Sequence, residues 1–325
     1  MALHLHIENN RALGPVFEVT PGRVDEVRTN YPGLSDIRIT IGYDGDVFAH
    51  EIQTADALMG WNFDTAIAGA APNLRWVHAH GAGVNHLMPL NWLPSGAVLT
   101  NSRGVHAEKA DEYTIMALLM LNNRLPESIT NQRNARWEQV FSSSIAGKTV
   151  LIIGVGHIGG GAARWAQRFG LHVIGIRRSG EAHPHVHEMH MPEALRALLP
   201  RADFVLVTTP ATSTTRHLLG RQELALMKDG AGLVNYSRAD LVDYDALSDE
   251  LRRGRLTAIL DVFDPEPLPE TSPLWNVPNL VITPHCSSDD ATQYTLKTLD
   301  LVFRNLERLR AGQPLMNVVN PDLQY

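Results

Sequence analysis

A glycine-rich turn at residues 154–159 constrains the fold more than any other feature of the sequence. A β-branched run, Thr149–Ile153, leads into Gly154-Val155-Gly156-His157-Ile158-Gly159, and a helix-forming stretch then runs to Phe169 before a second apolar run, Leu171–Ile176. In such a unit the first glycine permits the tight turn, the second lets the backbone approach a pyrophosphate, and the third lets the helix pack on the strand. The pattern predicts a dinucleotide-binding βαβ unit, and the alternative is an ordinary tight turn.

The residues after the second strand of this unit predict which dinucleotide binds. Proteins that prefer NAD carry an Asp or Glu here for the ribose hydroxyls, whereas this chain has Arg177-Arg178-Ser179. Because a guanidinium binds phosphate through a planar fork, we expect NADP(H) to be preferred, with NAD(H) also possible. The alternative is that both arginines point into solvent and selectivity is loose.

Composition narrows the class of protein. The chain has 325 residues, enough for two domains, and 44% hydrophobic with 19% charged residues is ordinary for a soluble globular protein. The formal charge is 28 − 35 = −7 with no basic stripe, which argues against nucleic acid as a partner. A single cysteine, Cys286, and a start without a basic or long apolar segment predict a cytoplasmic protein, and no apolar run is long enough to span a membrane.

Short apolar runs alternate with amphipathic stretches of helix length along the chain, which predicts an α/β fold with parallel sheets. Thr20 and Pro21 predict a helix start. Two long amphipathic helices are expected at 106–123, which we expect to bridge the domains, and at 291–309. The strands expected in the first hundred residues are Leu3–Ile7, Ile37–Ile41, Ala57–Met59, Trp76–His80 and Val98–Thr100.

Three later motifs each place an ionisable side chain just past an expected strand, where open α/β sheets bind ligands. Arg238 follows Gly232-Leu233-Val234-Asn235-Tyr236, Glu266 follows Ala258-Ile259-Leu260-Asp261-Val262-Phe263, and His285 follows Leu280-Val281-Ile282-Thr283-Pro284. A guanidinium, a carboxylate and an imidazole, each just past the end of an expected strand, are groups that can bind an anion and move a proton.

Residues 74–318 resemble the D-isomer-specific 2-hydroxyacid dehydrogenases. The resemblance lies in Gly81-Ala82-Gly83-Val84, Gly104-Val105-His106-Ala107-Glu108, the glycine turn, Thr215-Arg216-His217-Leu218-Leu219, Leu260-Asp261-Val262-Phe263, Ser272-Pro273-Leu274-Trp275 and Thr283-Pro284-His285. It implies that Arg238 holds the substrate carboxylate and polarises its carbonyl, that His285 is the acid/base, and that Glu266 is the histidine's partner and raises its pKa. It further implies that the backbone of Ala82, Gly83 and Val84 receives the substrate carboxylate, and that Trp61 and Trp275 wall the pocket.

The resemblance also implies an architecture and a set of cofactor contacts. We expect a doubly wound Rossmann cofactor domain, residues 102–289, inserted into a flavodoxin-like α/β substrate domain, residues 1–101 plus 290–325, with substrate in the cleft between them and a homodimer as the assembly. The expected cofactor-binding residues are Gly154, Gly156, His157, Ile158, Gly159, Arg177, Arg178, Ser179, Thr209, Pro210, Thr215, Tyr236, Ser237, Asp261 and Ser287. The function implied is reduction of a small 2-oxo acid, such as glyoxylate or hydroxypyruvate, to the D-2-hydroxy acid with NADPH. The alternatives are a non-catalytic dinucleotide-sensing protein on the same fold and a methyltransferase.

Two features depart from this picture or compete with it. Asp240 stands two residues beyond Arg238, and we expect its charge to weaken the field of the guanidinium. His183, His185, His187 and His190 have an alternate spacing that would put several imidazoles on one strand face, as in a metal site, although we expect a surface connection there and no metal.

Overall fold

A computed structural model of the chain describes residues 3–323. These residues form two compact units: the first comprises the chain up to His106 together with the chain from Asp290 onward, and the second comprises Ala107–Asp289. Each unit is built around its own parallel β-sheet.

Strands and helices alternate along most of the chain. The strands are β1 (His4–Asn9), β2 (Arg38–Tyr43), β3 (Ala57–Gly60), β4 (Trp76–Ala79), β5 (Val98–Asn101), β6 (Thr149–Ile153), β7 (His172–Ile176), β8 (Glu188–His190), β9 (Phe204–Val207), β10 (Gly232–Asn235), β11 (Thr257–Leu260) and β12 (Leu280–Ile282). The α-helices are α1 (Pro21–Arg28), α2 (Phe48–Glu51), α3 (Thr65–Gly69), α4 (Ala107–Asn122), α5 (Leu125–Arg133), α6 (His157–Arg168), α7 (Leu195–Leu198), α8 (Arg221–Leu226), α9 (Tyr244–Arg252) and α10 (Tyr294–Arg310). Short 3-10 helices lie at Arg11–Leu13, Pro32–Leu34, Asn85–Leu87, Leu90–Trp92, Pro192–Ala194, Leu199–Arg201, Ala239–Leu241 and Pro273–Asn276.

The sheet of the first unit has the order β2-β1-β3-β4-β5, which is the flavodoxin-like order. Thr20 caps α1 as predicted, because its hydroxyl accepts a hydrogen bond from Arg23 N at 3.3 Å and Pro21 occupies the first helical position. The helix α10 returns to this unit and buries Leu299 and Phe303 in the same apolar core as β1. The helical periodicity alone leaves the position of this helix open, whereas the resemblance to the family implies it.

The sheet of the second unit has the order β12-β11-β10-β9-β6-β7-β8, with every pair parallel. The first strand of this sheet in chain order, β6, therefore lies inside the sheet, and later strands are added on both sides of it, which is the doubly wound arrangement. Apolar clusters cover both faces of this sheet, and α4 contributes Ala117 and Leu118 to one of them. The predicted fold class is confirmed.

Two local predictions are corrected by the structure. The last long helix begins at Tyr294 and not at 291, because the Asp290 carboxylate accepts hydrogen bonds from Thr292 N and Gln293 N, both at 2.9 Å, and holds a turn there. The helix at 106–123, predicted to bridge the domains, is α4 and belongs to the second unit.

The alternate spacing of the histidines does not place them on one strand face. Only Glu188–His190 forms a strand, and His183, His185 and His187 precede it outside any strand. The centre of this region is the Glu188 carboxylate, whose pKa falls to about 2 because Arg201 and His172 donate hydrogen bonds to it at 2.6 and 2.7 Å. Within residues 3–323, no group of three or more His, Cys, Asp or Glu side chains is arranged to hold a metal ion.

Among the helices of the described chain, none combines the length and the apolar character needed to cross a membrane.

The core of the first unit contains an imidazole that cannot easily be charged. His78 on β4 is fully buried, and its ring nitrogens lie 2.8 Å from Thr100 Oγ1 and 3.1 Å from Ser102 Oγ. Burial, aided by the nearby charge of His80, lowers the pKa of His78 to about 3. Because the unfolded chain binds this proton near pH 6.5, the unfolded state holds more protons between pH 6.5 and 3, and stability falls as the pH falls through that range.

We expect His78→Gln to flatten the acid sensitivity of the protein. Because the pKa falls from 6.5 to about 3 on folding, wild type should lose about 2.5 kcal/mol of unfolding free energy at this site between pH 7 and pH 4.5, and the variant should not. Urea unfolding at both pH values measures the difference, with His50→Gln, a change at an exposed side chain, as the control. An equal loss of stability in all three proteins would contradict the assignment.

Candidate active site

The three ionisable groups singled out in the sequence come from adjacent strands of the second unit. Arg238, Glu266 and His285 lie in the loops that follow β10, β11 and β12, and these strands are neighbours in the sheet. Because parallel strands end at the same edge, loops that are distant in sequence meet there. The order of the sheet therefore gathers side chains that lie up to 47 positions apart in the sequence, since 285 − 238 = 47.

His285 and Glu266 form a direct pair. His285 Nδ1 lies 2.6 Å from Glu266 Oε2, and the other carboxylate oxygen, Oε1, accepts a hydrogen bond from Phe263 N at 2.7 Å. The hydrogen bond to Glu266 raises the pKa of His285, although burial and the charge of Arg238 oppose it. Burial raises the pKa of Glu266, but the hydrogen bonds from His285 and Phe263 outweigh it, so that pKa lies below its usual value. Both side chains stay accessible, with 44% and 35% exposed, as proton transfer to a ligand requires.

Arg238 is half-buried beside this pair, and its Nη1 donates to the Ser237 carbonyl at 2.6 Å. Burial lowers its pKa and the charge of Glu266 opposes that effect, but an arginine remains cationic at any physiological pH. Glu266 is thus an acid whose charge acts on Arg238, and the weakening of the guanidinium field by Asp240 stays a prediction. The site thus offers one permanent cation next to one titratable donor.

Asp261 holds the turn that carries His285, a role that sequence reasoning missed. Its carboxylate is fully buried and accepts hydrogen bonds from Thr283 Oγ1 at 2.6 Å, Cys286 N at 3.1 Å and Ser287 N at 3.2 Å. Its backbone carbonyl accepts a fourth from His285 N at 2.8 Å. His285 has φ +48°, a conformation that non-glycine residues rarely adopt, so the turn needs this external support. In the sequence, the feature that could have pointed to this role is an aspartate directly after a strand with no lysine or arginine next to it.

The glycine turn has the shape that a pyrophosphate requires. Gly154 has φ +105°, and a Cβ there would lie 2.5 Å from Thr209 N, while a Cβ at Gly159 would collide with the Gly154 carbonyl. A Cβ at Gly156 would meet no protein atom within 4 Å, so this backbone faces open space. The twelve-residue helix α6 begins at His157, immediately after this point, and its N-terminus favours an anion. The residues present therefore fit the phosphates of a dinucleotide.

The remaining predicted cofactor residues differ in what they offer. Hydroxyl groups brace the loop edges: Ser237 Oγ donates to the Thr209 carbonyl at 2.5 Å, and Thr215 Oγ1 donates to the Pro210 carbonyl at 2.9 Å. Arg177 is partly exposed, and Arg178 and Ser179 are exposed, directly after β7.

Tyr236 and Ser287 differ in whether their hydroxyl groups already have a hydrogen-bond partner. The Tyr236 side chain lies in the core with its hydroxyl 2.6 Å from Thr114 Oγ1, so the predicted cofactor contact of this residue would be made by its backbone. Ser287 is 2% exposed, and its hydroxyl lacks a hydrogen-bond partner among the described residues. Because an unsatisfied buried hydroxyl is costly, it is a candidate ligand contact.

In the first unit, Trp61 lies against the loop predicted to bind the substrate carboxylate. A Cβ at Gly81 would lie 2.9 Å from the Trp61 ring, so the indole covers this glycine. The Ala82 carbonyl accepts a hydrogen bond from Asn101 Nδ2 at 2.8 Å, and Val84 is buried in the core. In the second unit Trp275 is 42% exposed.

Comparison with known proteins identifies the family. Residues 115–287 match the model of the D-isomer specific 2-hydroxyacid dehydrogenase, NAD binding domain. A glyoxylate reductase of Korarchaeum cryptofilum is 31% identical over 291 residues, which are 85% of this chain and 86% of the relative. A D-isomer specific 2-hydroxyacid dehydrogenase from Xanthobacter autotrophicus, solved in complex with NADPH and MES, superposes with a TM-score of 0.87 at 28% identity over 100% of both chains. An NADPH-dependent glyoxylate/hydroxypyruvate reductase from Sinorhizobium meliloti, solved with NADP and sulfate, gives a TM-score of 0.82 at 25% identity over 99% of this chain and 100% of its own.

The chain belongs to the D-isomer specific 2-hydroxyacid dehydrogenase family. It is therefore an NAD(P)-dependent dehydrogenase, and the cofactor it takes is a nicotinamide dinucleotide.

The open space at Gly156 makes a test of the nucleotide site. Gly156→Ala should leave the melting temperature unchanged, since the new methyl group meets no protein atom, and should weaken ADP-ribose binding about tenfold or more, since it fills the space a pyrophosphate needs. Gly159→Ala should instead lower the melting temperature, because its methyl group collides with the Gly154 carbonyl. Calorimetry measures both quantities, and undiminished ADP-ribose binding by Gly156→Ala would contradict the site.

Proposed function

We propose that this enzyme reduces a small 2-oxo acid of the glyoxylate and hydroxypyruvate class to the D-2-hydroxy acid, with NADPH preferred over NADH. The observation that carries the proposal is the 2.6 Å contact between His285 and Glu266 beside the cationic Arg238. A 2-oxo acid presents a carboxylate and a carbonyl, and these are the two groups that a fixed guanidinium and a proton donor can serve.

The chain's own residues account for binding and proton transfer. When bound, the reduced nicotinamide supplies the hydride that adds to the carbonyl carbon. Arg238 binds the carboxylate and stabilises the negative charge that develops on the carbonyl oxygen. Protonated His285 gives its proton to that oxygen, so that hydride and proton together convert C=O to CH–OH. Glu266 keeps the imidazole protonated and oriented until the transfer.

The cofactor preference is supported by residues 177–179. The strand β7 ends without an Asp or Glu for the ribose hydroxyls, and Arg177, Arg178 and Ser179 provide groups that suit a 2′-phosphate. The similar proteins from Xanthobacter autotrophicus and Sinorhizobium meliloti were solved with NADPH and NADP.

We assign the second unit, predicted as residues 102–289 and observed as Ala107–Asp289, to cofactor binding and the first unit to substrate binding. The backbone of Ala82, Gly83 and Val84 is the proposed contact for the substrate carboxylate, and glycine-rich backbone offers N–H donors to an anion. Asp261, which holds the His285 turn, is also the proposed contact for the nicotinamide carboxamide, because a carboxylate has about four acceptor positions and Thr283, Cys286 and Ser287 use three of them.

A homodimer in the cytoplasm completes the proposal. Trp137 and Phe141, in the segment that precedes β6, have 96% and 83% of their surface exposed. Two large apolar side chains so fully exposed on one segment favour a protein interface, and a second copy is the partner that symmetry most often supplies. A single cysteine, which can form no internal disulfide, is consistent with a reducing compartment.

The test is a panel of 2-oxo acids assayed with NADPH and with NADH. Glyoxylate or hydroxypyruvate should be reduced with a lower Michaelis constant for NADPH than for NADH. Arg238→Lys should lower kcat/KM about 10²-fold or more, because lysine keeps the charge but loses the planar fork. The matched control is Arg252→Lys, which makes the same change on α9 at a side chain 50% exposed, and it should leave kcat/KM unchanged.

Three results would count against the proposal. NADPH binding without oxidation by any 2-oxo acid would favour the dinucleotide-sensing alternative. An equal change of kcat/KM in Arg238→Lys and Arg252→Lys would contradict the placement of Arg238 in the active site. Equal Michaelis constants for the two cofactors would contradict the NADPH preference alone.

A further inference from the structure

The turn after β7 contains an internal anion that the cofactor motif does not explain. Glu181 Oε2 lies 3.3 Å from Arg177 Nη2 and 3.2 Å from Ser179 Oγ, which donates to it. In return, Glu181 N donates to Ser179 Oγ at 3.3 Å. One carboxylate oxygen thus engages two of the groups that we assign to the 2′-phosphate.

The local backbone makes this contact possible. Gly180 has φ +67°, and its N–H donates to the Arg177 carbonyl at 3.1 Å, so the chain turns back and brings residue 181 beside residue 177. A second hydrogen bond, from Arg177 N to the His190 carbonyl at 3.1 Å, ties the start of the turn to β8. The backbone of this turn therefore places the Glu181 carboxylate close to the end of β7.

The contact is also easily opened. The Glu181 side chain is 71% exposed and that of Arg177 is 32% exposed, and solvent-exposed ion pairs of this kind contribute little stability. A 2′-phosphate carries more negative charge than a carboxylate and has three acceptor oxygens, so it can take over both donors. Because two anions at one pair of donors repel each other, the carboxylate must leave when the phosphate binds.

We propose that Glu181 is a specificity-determining residue that competes with the 2′-phosphate for Arg177 and Ser179 and so limits the preference for NADP(H) over NAD(H). The inference rests on the proposed function, since it assumes that these donors meet the adenosine ribose. A nucleotide without the 2′-phosphate leaves the Glu181 contacts in place, so its affinity does not depend on displacing the carboxylate.

The test uses nucleotide fragments, so that binding is measured apart from turnover. Wild type, Glu181→Gln and a control, Glu307→Gln, are titrated by calorimetry with adenosine 2′,5′-bisphosphate and with AMP. Glu307 is exposed on α10 in the other unit, so the control makes the same charge change elsewhere. Glu181→Gln should bind the bisphosphate about two- to fivefold more tightly, the upper part of the range expected for loss of one exposed competing charge, with AMP affinity unchanged.

The outcomes separate this inference from the NADPH preference. Bisphosphate affinity that is unchanged or weaker in Glu181→Gln, or that rises equally in Glu307→Gln, overturns the role of Glu181. An equal gain for AMP overturns it as well, because the effect would then not concern the 2′-phosphate. The NADPH preference is judged from wild type alone and fails if wild type binds the bisphosphate no better than AMP, whatever Glu181→Gln does.

Discussion

The contact between Glu266 Oε2 and His285 Nδ1 is the interaction on which the catalytic group depends. It joins the loop after β11 to the loop after β12, so it exists only when those two strands pair in register, with Leu260 beside Ile282. Asp261, the residue after β11, makes the join rigid by accepting hydrogen bonds from the turn that carries the imidazole. A parallel sheet with buried strands thus fixes the geometry of an accessible pair at its edge.

The two carboxylates near His285 have different tasks because their surroundings differ. Asp261 is fully buried, and its oxygens are engaged by hydroxyl and backbone donors, so it positions the turn. Glu266 is partly exposed, and its negative charge interacts with both His285 and Arg238. It therefore sets the protonation of the imidazole. The cation of Arg238 opposes protonation of His285, and the close hydrogen bond to Glu266 prevails because contact distance outweighs a longer-range repulsion.

Local features of the molecule could be predicted from sequence and tertiary ones could not. The glycine spacing at 154–159 and the Thr20 cap depend on neighbouring residues, and the fold class follows from the alternation of strand and helix patterns. The hydrogen bonds between Asp261 and the His285 turn depend on the pairing of two strands. The hydrogen bond between the Tyr236 hydroxyl and Thr114 depends on the packing of a helix that is distant in sequence. The alternate spacing of the histidines between His183 and His190 did not predict a shared face, because alternation places side chains on one face only where a strand forms.

The most direct test of the account is an NMR titration of the His285 imidazole in wild type, Glu266→Gln and Glu270→Gln. We expect the pKa of His285 in wild type to lie above that of a free histidine, so that the proton donor persists to higher pH. We expect a lower His285 pKa in Glu266→Gln, because the hydrogen bond to a charged carboxylate is lost, and no change in Glu270→Gln, an exposed acid of the same loop. A His285 pKa that is the same in wild type and Glu266→Gln would contradict the account.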